Sequence, residues 1–292
     1  MNRIKGILYA AVSSSTFGLA PFFSITLLLA GFSAFEVLSY RWGVASIVLI
    51  VFGWLSGCNF RLAGKDWGVV FLLSLLRAVT SFSLIIAYQN IASGVASTIH
   101  FMYPLAVALA MMFFFREKKS LLVILAVLMF LLGAALLSLG ELEAKSGNTM
   151  VGLVAACVSV FSYAGYIVGV RTTRAVQINS TALTCYVMGL GTIFYLIGAY
   201  CTSGLQLVSD GYTWLIILGL ALPATAISNI TLVQAIKYAG PTLTSILGAM
   251  EPLTAVVIGV FVFKELFTVN SAVGIILILL AVSIVVFRRQ KS

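Results

Sequence analysis

The chain is 292 residues long, 62% hydrophobic and only 9% charged, with a mean hydropathy of +1.15, whereas an ordinary soluble domain is about 25% charged. That balance excludes a cytosolic enzyme, a secreted disulfide scaffold and a disordered chain. The net charge of +9 does not indicate nucleic acid, because the Lys and Arg sit at segment ends rather than on one exposed face.

A spanning helix needs roughly 20 apolar residues, and the chain divides into ten such segments with short loops. They are apolar on all faces, unlike the alternating strands of a membrane β-barrel. A basic stretch at 1–5 leads into the first predicted span, 6–29. This run is longer than a signal-peptide core and lacks a convincing cleavage pattern, so it is expected to be retained. Its Ser13-Ser14-Ser15-Thr16 cluster opens it to polar contact, with Ser15 a candidate lining residue and helix packing the alternative. The second span, 35–56, carries Arg41 about six residues from its outer end, close enough to be expected to snorkel to the interface.

The third span, 67–90, holds Arg77, and the fourth, 94–115, holds His100, Tyr103 and Pro104. The fifth is 120–139. The sixth, 150–171, brings Tyr163 and Tyr166, hydroxyls that need partners inside a membrane. The seventh and eighth are 181–203 and 212–236. The ninth, 242–263, contains Glu251 and Pro252, and the tenth is 268–287. Gly165-x-x-x-Gly169 and Gly53-x-x-x-Gly57 are expected to pack against the chain's own helices rather than to mark a dimer.

Basic residues set membrane orientation. With the N-terminus in the cytoplasm, the inside segments hold thirteen of the seventeen Lys and Arg and the outside loops only Lys145 and Lys264. Both termini are therefore expected in the cytoplasm. The four cysteines are far apart, with no metal-type spacing, and there is a single histidine. No cofactor or metal site is expected, and no enzyme activity.

A buried charge costs roughly 2.5–3.5 kcal/mol on insertion scales, so it persists where it faces a cavity or a partner. Arg77 and Glu251 each lie about nine residues from the cytoplasmic end of their spans, or roughly 14 Å deep. Equal depth permits an ion pair. Each residue has a structural alternative: a packing anchor for Glu251 and His100, a static pair for Arg77. Prolines 104 and 252 free a carbonyl one turn back, which can bind a solute or simply kink the helix.

The two halves repeat. Met102-Tyr-Pro-Leu aligns with Met250-Glu-Pro-Leu, and the Phe-x-Phe-Arg-Glu ending at Glu117 aligns with the Phe-x-Phe-Lys-Glu ending at Glu265, without a gap. Each half holds five spans. Five is odd, so the second half is expected upside down relative to the first, with a substrate site near the midplane between them. Tyr103 occupies the repeat position of Glu251.

These residues, with Arg41, resemble the drug/metabolite transporter superfamily in its ten-helix EamA-type branch. The resemblance implies two repeats, 1–140 and 148–290, in a cytoplasmic (inner) membrane protein. It also implies export of amino acids or related small metabolites by alternating access. Glu251, Arg77, Tyr103, His100, Pro104, Pro252, Tyr163, Tyr166 and Ser15 are the residues expected to bind substrate or gate. The expected partners are a small-molecule substrate, the lipid bilayer and protons as coupling ion, with monomer and homodimer both open. A passive channel is the alternative function. The inverted repeat and a single buried acid disfavour it, because cation pores commonly use rings of charge.

Overall fold

The computed structural model describes residues 2–91, 93–116, 121–138, 147–202, 204–248, 250–254 and 269–288. Among these, all regular structure is helical. In chain order the helices are α1 (Asn2–Phe17), α2 (Ala20–Leu29), α3 (Ala34–Leu55), α4 (Trp67–Asn90), α5 (Ser93–His100), α6 (Tyr103–Phe113), α7 (Leu121–Ser138), α8 (Thr149–Thr172), α9 (Ser180–Cys201), α10 (Gly211–Ala221), α11 (Ser228–Ala239), α12 (Pro241–Leu247), α13 (250–254) and α14 (Val269–Arg288). A π-helical turn, Leu222–Ile227, joins α10 to α11. Seven of the described helical segments are long and apolar enough to cross a bilayer, and α7 and α14 add the shorter apolar stretches Leu121–Gly133 and Ala272–Ala281. The chain is a multi-pass membrane protein. Glu117 and residues 255–268, which carry part of the repeat motif and Lys264, lie outside the described residues, as do Lys145 and the basic C-terminus beyond Arg288.

Four predicted spans are interrupted, and a proline lies within four residues after or inside each interruption. The first breaks at Gly18-Leu19 before Pro21, the fourth at Phe101-Met102 before Pro104, and the ninth at Gly248 before Pro252. The eighth holds Pro223 within its π turn. Proline removes a backbone donor and clashes with the preceding turn, so an apolar stretch containing it bends or restarts. Between the eighth and ninth spans the chain reverses in one residue. Gly240 adopts φ 85°, which a side chain would resist, and Pro241 opens the next helix.

The tightest helix pairs are α4 with α8, α7 with α14, α1 with α11 and α3 with α9. Every pair joins the first half to the second. Exchanging the halves maps α4–α8 onto α11–α1 and maps the other two pairs onto themselves, which is the pattern of a two-fold axis. Small residues allow the approach. A Cβ on Gly133 would fall 2.7 Å from the Gly274 carbonyl, so α7 and α14 touch backbone to backbone. Gly169 and Gly165 face Leu73 and Leu76 of α4, while Gly53 packs on Phe60 and Gly57 ends its helix at φ 64°. Gly165 and Gly169 thus pack on a helix of the same chain, whereas Gly57 meets nothing within 4 Å.

Polar bonds tie the halves at both faces of the membrane. On the face that carries the N-terminus, Arg174 Nε donates to Asp66 Oδ1 at 2.8 Å. On the opposite face Glu36 accepts from the Ser33 N–H at 2.8 Å in a capping box and from the Gln206 N–H at 2.7 Å. There too the Asn148 N–H donates to Asn90 Oδ1 at 3.0 Å. Glu36 is 1% exposed. The expectation of a single buried acid is therefore corrected. A capping-box carboxylate that also clamps a loop is satisfied without water.

Candidate functional site

The π turn is the organising element. Opening one helical turn to i−5 spacing swings the side chains after it out of the regular register, a device often found at functional sites. Here Thr225 Oγ1 donates to the Leu220 carbonyl, five residues back, at 2.7 Å, and Asn229 Nδ2 donates to the Thr225 carbonyl at 2.7 Å. Their oxygens are then presented to two buried arginines. Arg41 Nε donates to Thr225 Oγ1 at 2.7 Å, and Arg77 Nε donates to Asn229 Oδ1 at 3.1 Å. Arg41 is 5% exposed and Arg77 1%. Arg41 therefore does not snorkel. It turns inward because Thr225 gives it a neutral acceptor at depth and the Phe17 ring lies 5.5 Å from its guanidinium carbon.

Arg77 is packed among aromatic faces, 4.8 Å from the Tyr163 centroid, 5.3 Å from Phe17 and 5.9 Å from Tyr166. Such contacts attract a desolvated cation by about 2 kcal/mol. Tyr163 leads on to the fourth and ninth spans. Its ring lies 4.6 Å from Tyr103 and 5.4 Å from His100. Tyr103 donates to Glu251 Oε1 at 3.4 Å. Gly248 makes room for that hydroxyl: a Cβ there would sit 1.8 Å from it.

The direct Arg77–Glu251 ion pair is not formed. The one ion pair among the described residues is Arg174–Asp66, and two tyrosine rings stand between Arg77 and Glu251. The sequence placed both charges at the right depth, but depth along a helix says nothing about what fills the space between helices.

Of the residues singled out in the sequence, Arg77, Tyr163, Tyr166, His100, Tyr103 and Glu251 form one contiguous cluster. Pro104 and Pro252 are buried beside Tyr103 and Glu251 in sequence, at the two equivalent helix breaks. Ser15 is half-buried and does not line the central cavity; its neighbour Ser13 makes the interhelical bond, donating to the Ser228 carbonyl at 2.8 Å. Thr225, Asn229 and Phe17 were not foreseen. Only Pro223, two residues before Thr225, signals them.

The cavity lies against the arginines, lined by Phe17, Ser24, Arg41, Arg77, Thr80 and Tyr88 among others. Its free space is about 20 Å³, room for about one water molecule. Arg41 Nη2, which lines the cavity, is buried without a hydrogen-bond partner, as are His100 Nε2 and the Tyr166 hydroxyl in the ring cluster beside it. Buried polar groups are nearly always satisfied, so an orphaned guanidinium donor facing a cavity is a candidate ligand contact. His100 is held through Nδ1 by Ser159 Oγ at 2.9 Å, which leaves Nε2 available. Among the described residues no group of His, Cys, Asp and Glu could hold a metal. The arrangement has two cations, one acid, hydroxyls and ring faces. It is equipped to bind and release a small solute.

Comparison with known proteins gives the family and the fold. The model of the EamA-like transporter family matches residues 4–139 and 150–287. A solved crystal structure superposes with a TM-score of 0.79 over 97% of this chain and 96% of its own, at 17% identity, a likeness of fold alone. No curated protein matches the sequence.

Proposed function

We propose that this chain, which belongs to the EamA-like transporter family, is a secondary transporter that exports a small metabolite, an amino acid or related compound, by alternating access. One observation carries the reading. Interrupted helices from both halves meet at buried charges, and the polar atoms there are left without partners. Transporters built from inverted repeats put their sites at such discontinuities, near the midplane.

Arg77, Tyr163, Tyr103 and Glu251 would contact the solute, with His100, Tyr166 and Arg41 around them. Pro104 and Pro252 would set the breaks about which the fourth and ninth helices bend. The two-fold pairing of helices supports exchange between states, because each half can adopt the other's conformation. The narrow central space favours a carrier over an open pore. Glu251, the acid in this cluster, is the proposed proton site. The proposed location is the cytoplasmic membrane with both termini inside, supported by the distribution of basic residues.

The test is flux into vesicles containing the purified protein. A metabolite panel should reveal a solute with saturating uptake and counterflow, abolished in Arg77→Gln. Non-saturating flux without counterflow would make the protein a channel instead. A reporter fused at Ser292 should read cytoplasmic.

A further inference from the structure

Two buried cations share one ring in this cavity, and neither has a carboxylate in ion-pair range among the described residues. A guanidinium carries five N–H donors. Arg41 and Arg77 each use one, Nε, on a neutral side-chain oxygen. Arg41 Nη2 is sealed from solvent with no partner. Thr225 and Asn229 satisfy geometry without cancelling charge, and a ring face offsets only part of the cost of a desolvated cation. What is missing is an anion.

We propose that Arg41 and Arg77 form a carboxylate cradle: the transported solute docks a carboxylate on the two guanidinium groups, with its apolar part toward Phe17, Leu84 and Ile85. The cavity lining supplies both surfaces, and its free space of about 20 Å³ must widen, as in an open state of the carrier, to admit the apolar part. A planar guanidinium fork matches the two oxygens of a carboxylate in a bidentate bond, and the free space beside the forks, about 20 Å³, suits a flat two-oxygen group better than a tetrahedral phosphate. The ring contacts explain why the site is stable while empty, and the orphaned Nη2 explains why it is incomplete. The inference rests on this cavity being the transport site.

The experiment reads binding separately from transport. The purified full-length protein is heated in sodium benzoate or sodium acetate, each against sodium chloride at equal ionic strength. Parallel arms use inorganic phosphate and phenethylammonium chloride. The carboxylates should raise Tm by about 2–4 °C at a tenfold excess over their dissociation constants. Phosphate and the amine should not. Arg41→Met should lose the carboxylate shift. Thr225→Val, which keeps both charges but frees the Arg41 fork, should weaken apparent affinity several-fold and stands in if Arg41→Met does not fold.

Three results would overturn the cradle: no carboxylate shift in the folded wild type, an undiminished shift in both variants, or a larger shift with phosphate or amine. Vesicle flux separates the two readings. Flux that follows amines and ignores carboxylates overturns the cradle and leaves the transporter. A carboxylate shift lost in Arg41→Met, in a protein that moves no solute, supports the cradle and removes the transport assignment.

Discussion

Tyr103 and Glu251 occupy equivalent places in the two repeats, and the structure joins them by a single long hydrogen bond of 3.4 Å. One such bond is worth about 0.5–1.5 kcal/mol. Its loss leaves a buried acid oxygen unpartnered, so Tyr103→Phe should lower stability by about 1–2 kcal/mol. Gly248→Ala is harsher, because its Cβ would meet the Tyr103 hydroxyl at 1.8 Å and the Ser245 carbonyl at 2.7 Å. Overpacking of this kind costs about 1–3 kcal/mol, and the ring has to leave Glu251. Thermal unfolding and vesicle flux together check this: normal flux in Gly248→Ala would show that the Tyr103–Glu251 contact is not used in transport. Arg77 and Glu251 do not touch but share the Tyr163–Tyr103 cluster, so Arg77→Gln and Glu251→Gln should show a coupling energy of about 0.5–3 kcal/mol. Coupling well above that would mean that the two charges meet in another conformation.

Among the helices, the π turn Leu222–Ile227 distinguishes the eighth span from its repeat partner α4, which runs unbroken from Trp67 to Asn90. The first span is likewise broken where its partner α8 is continuous. The two irregular elements pack on each other, so the asymmetry is concentrated on the side where both arginines bond. Removing one residue, Ala224, should let the helix revert to regular α geometry. Thr225 and Asn229 would then turn away from Arg41 and Arg77. The expected result is a correctly inserted protein with flux reduced at least tenfold; retained flux would assign the bulge to packing alone. Gly133→Ala tests a helix contact with no proposed role in transport. Its Cβ would meet the Gly274 carbonyl at 2.7 Å, so α7 and α14 must part, at a cost of about 1–3 kcal/mol. Unchanged Tm would show that the two helices do not touch as described.

Across the whole molecule, the halves are clamped at both faces. The Asp66–Arg174 bridge is exposed at the arginine, which is 53% accessible, and exposed pairs contribute about 0.2–1 kcal/mol. The Glu36 clamp is buried and holds two backbone N–H groups, and hydrogen bonds to charged groups contribute about 1.5–3 kcal/mol each. Loosening either should bias the molecule toward opening on that face. Asp66→Asn should modestly increase labelling of Ser24→Cys from the N-terminal face, and Glu36→Gln should raise labelling from the opposite face by more. The background has Cys58, Cys157, Cys185 and Cys201 replaced. Labelling that rises from the same face in both variants would contradict the assignment of the clamps to opposite faces.

Much of this molecule was written locally. Hydropathy placed the described spans to within a few residues, because a bilayer admits only long apolar helices. Pro104 and Pro252 marked two of the four interruptions, because a missing N–H acts on its own turn, and Pro21 and Pro223 stand at the other two. The Met-x-Pro-Leu repeat marked the equivalent breaks at Phe101-Met102 and Gly248. Burial cost alone nominated Arg77 and Glu251. The tertiary structure decided where those side chains point. A helix that is apolar all round gives no stripe from which to read its inner face, since lipid tails are as apolar as a core. Arg41 could therefore be read as reaching for the interface, when Thr225, 184 residues away, and the Phe17 ring draw it inward. Tyr103 and Tyr163 lie far apart in the chain, and only packing inserts them between Arg77 and Glu251. The cavity, its unpartnered atoms and its missing counter-charge are relations between helices, and no single helix carries them.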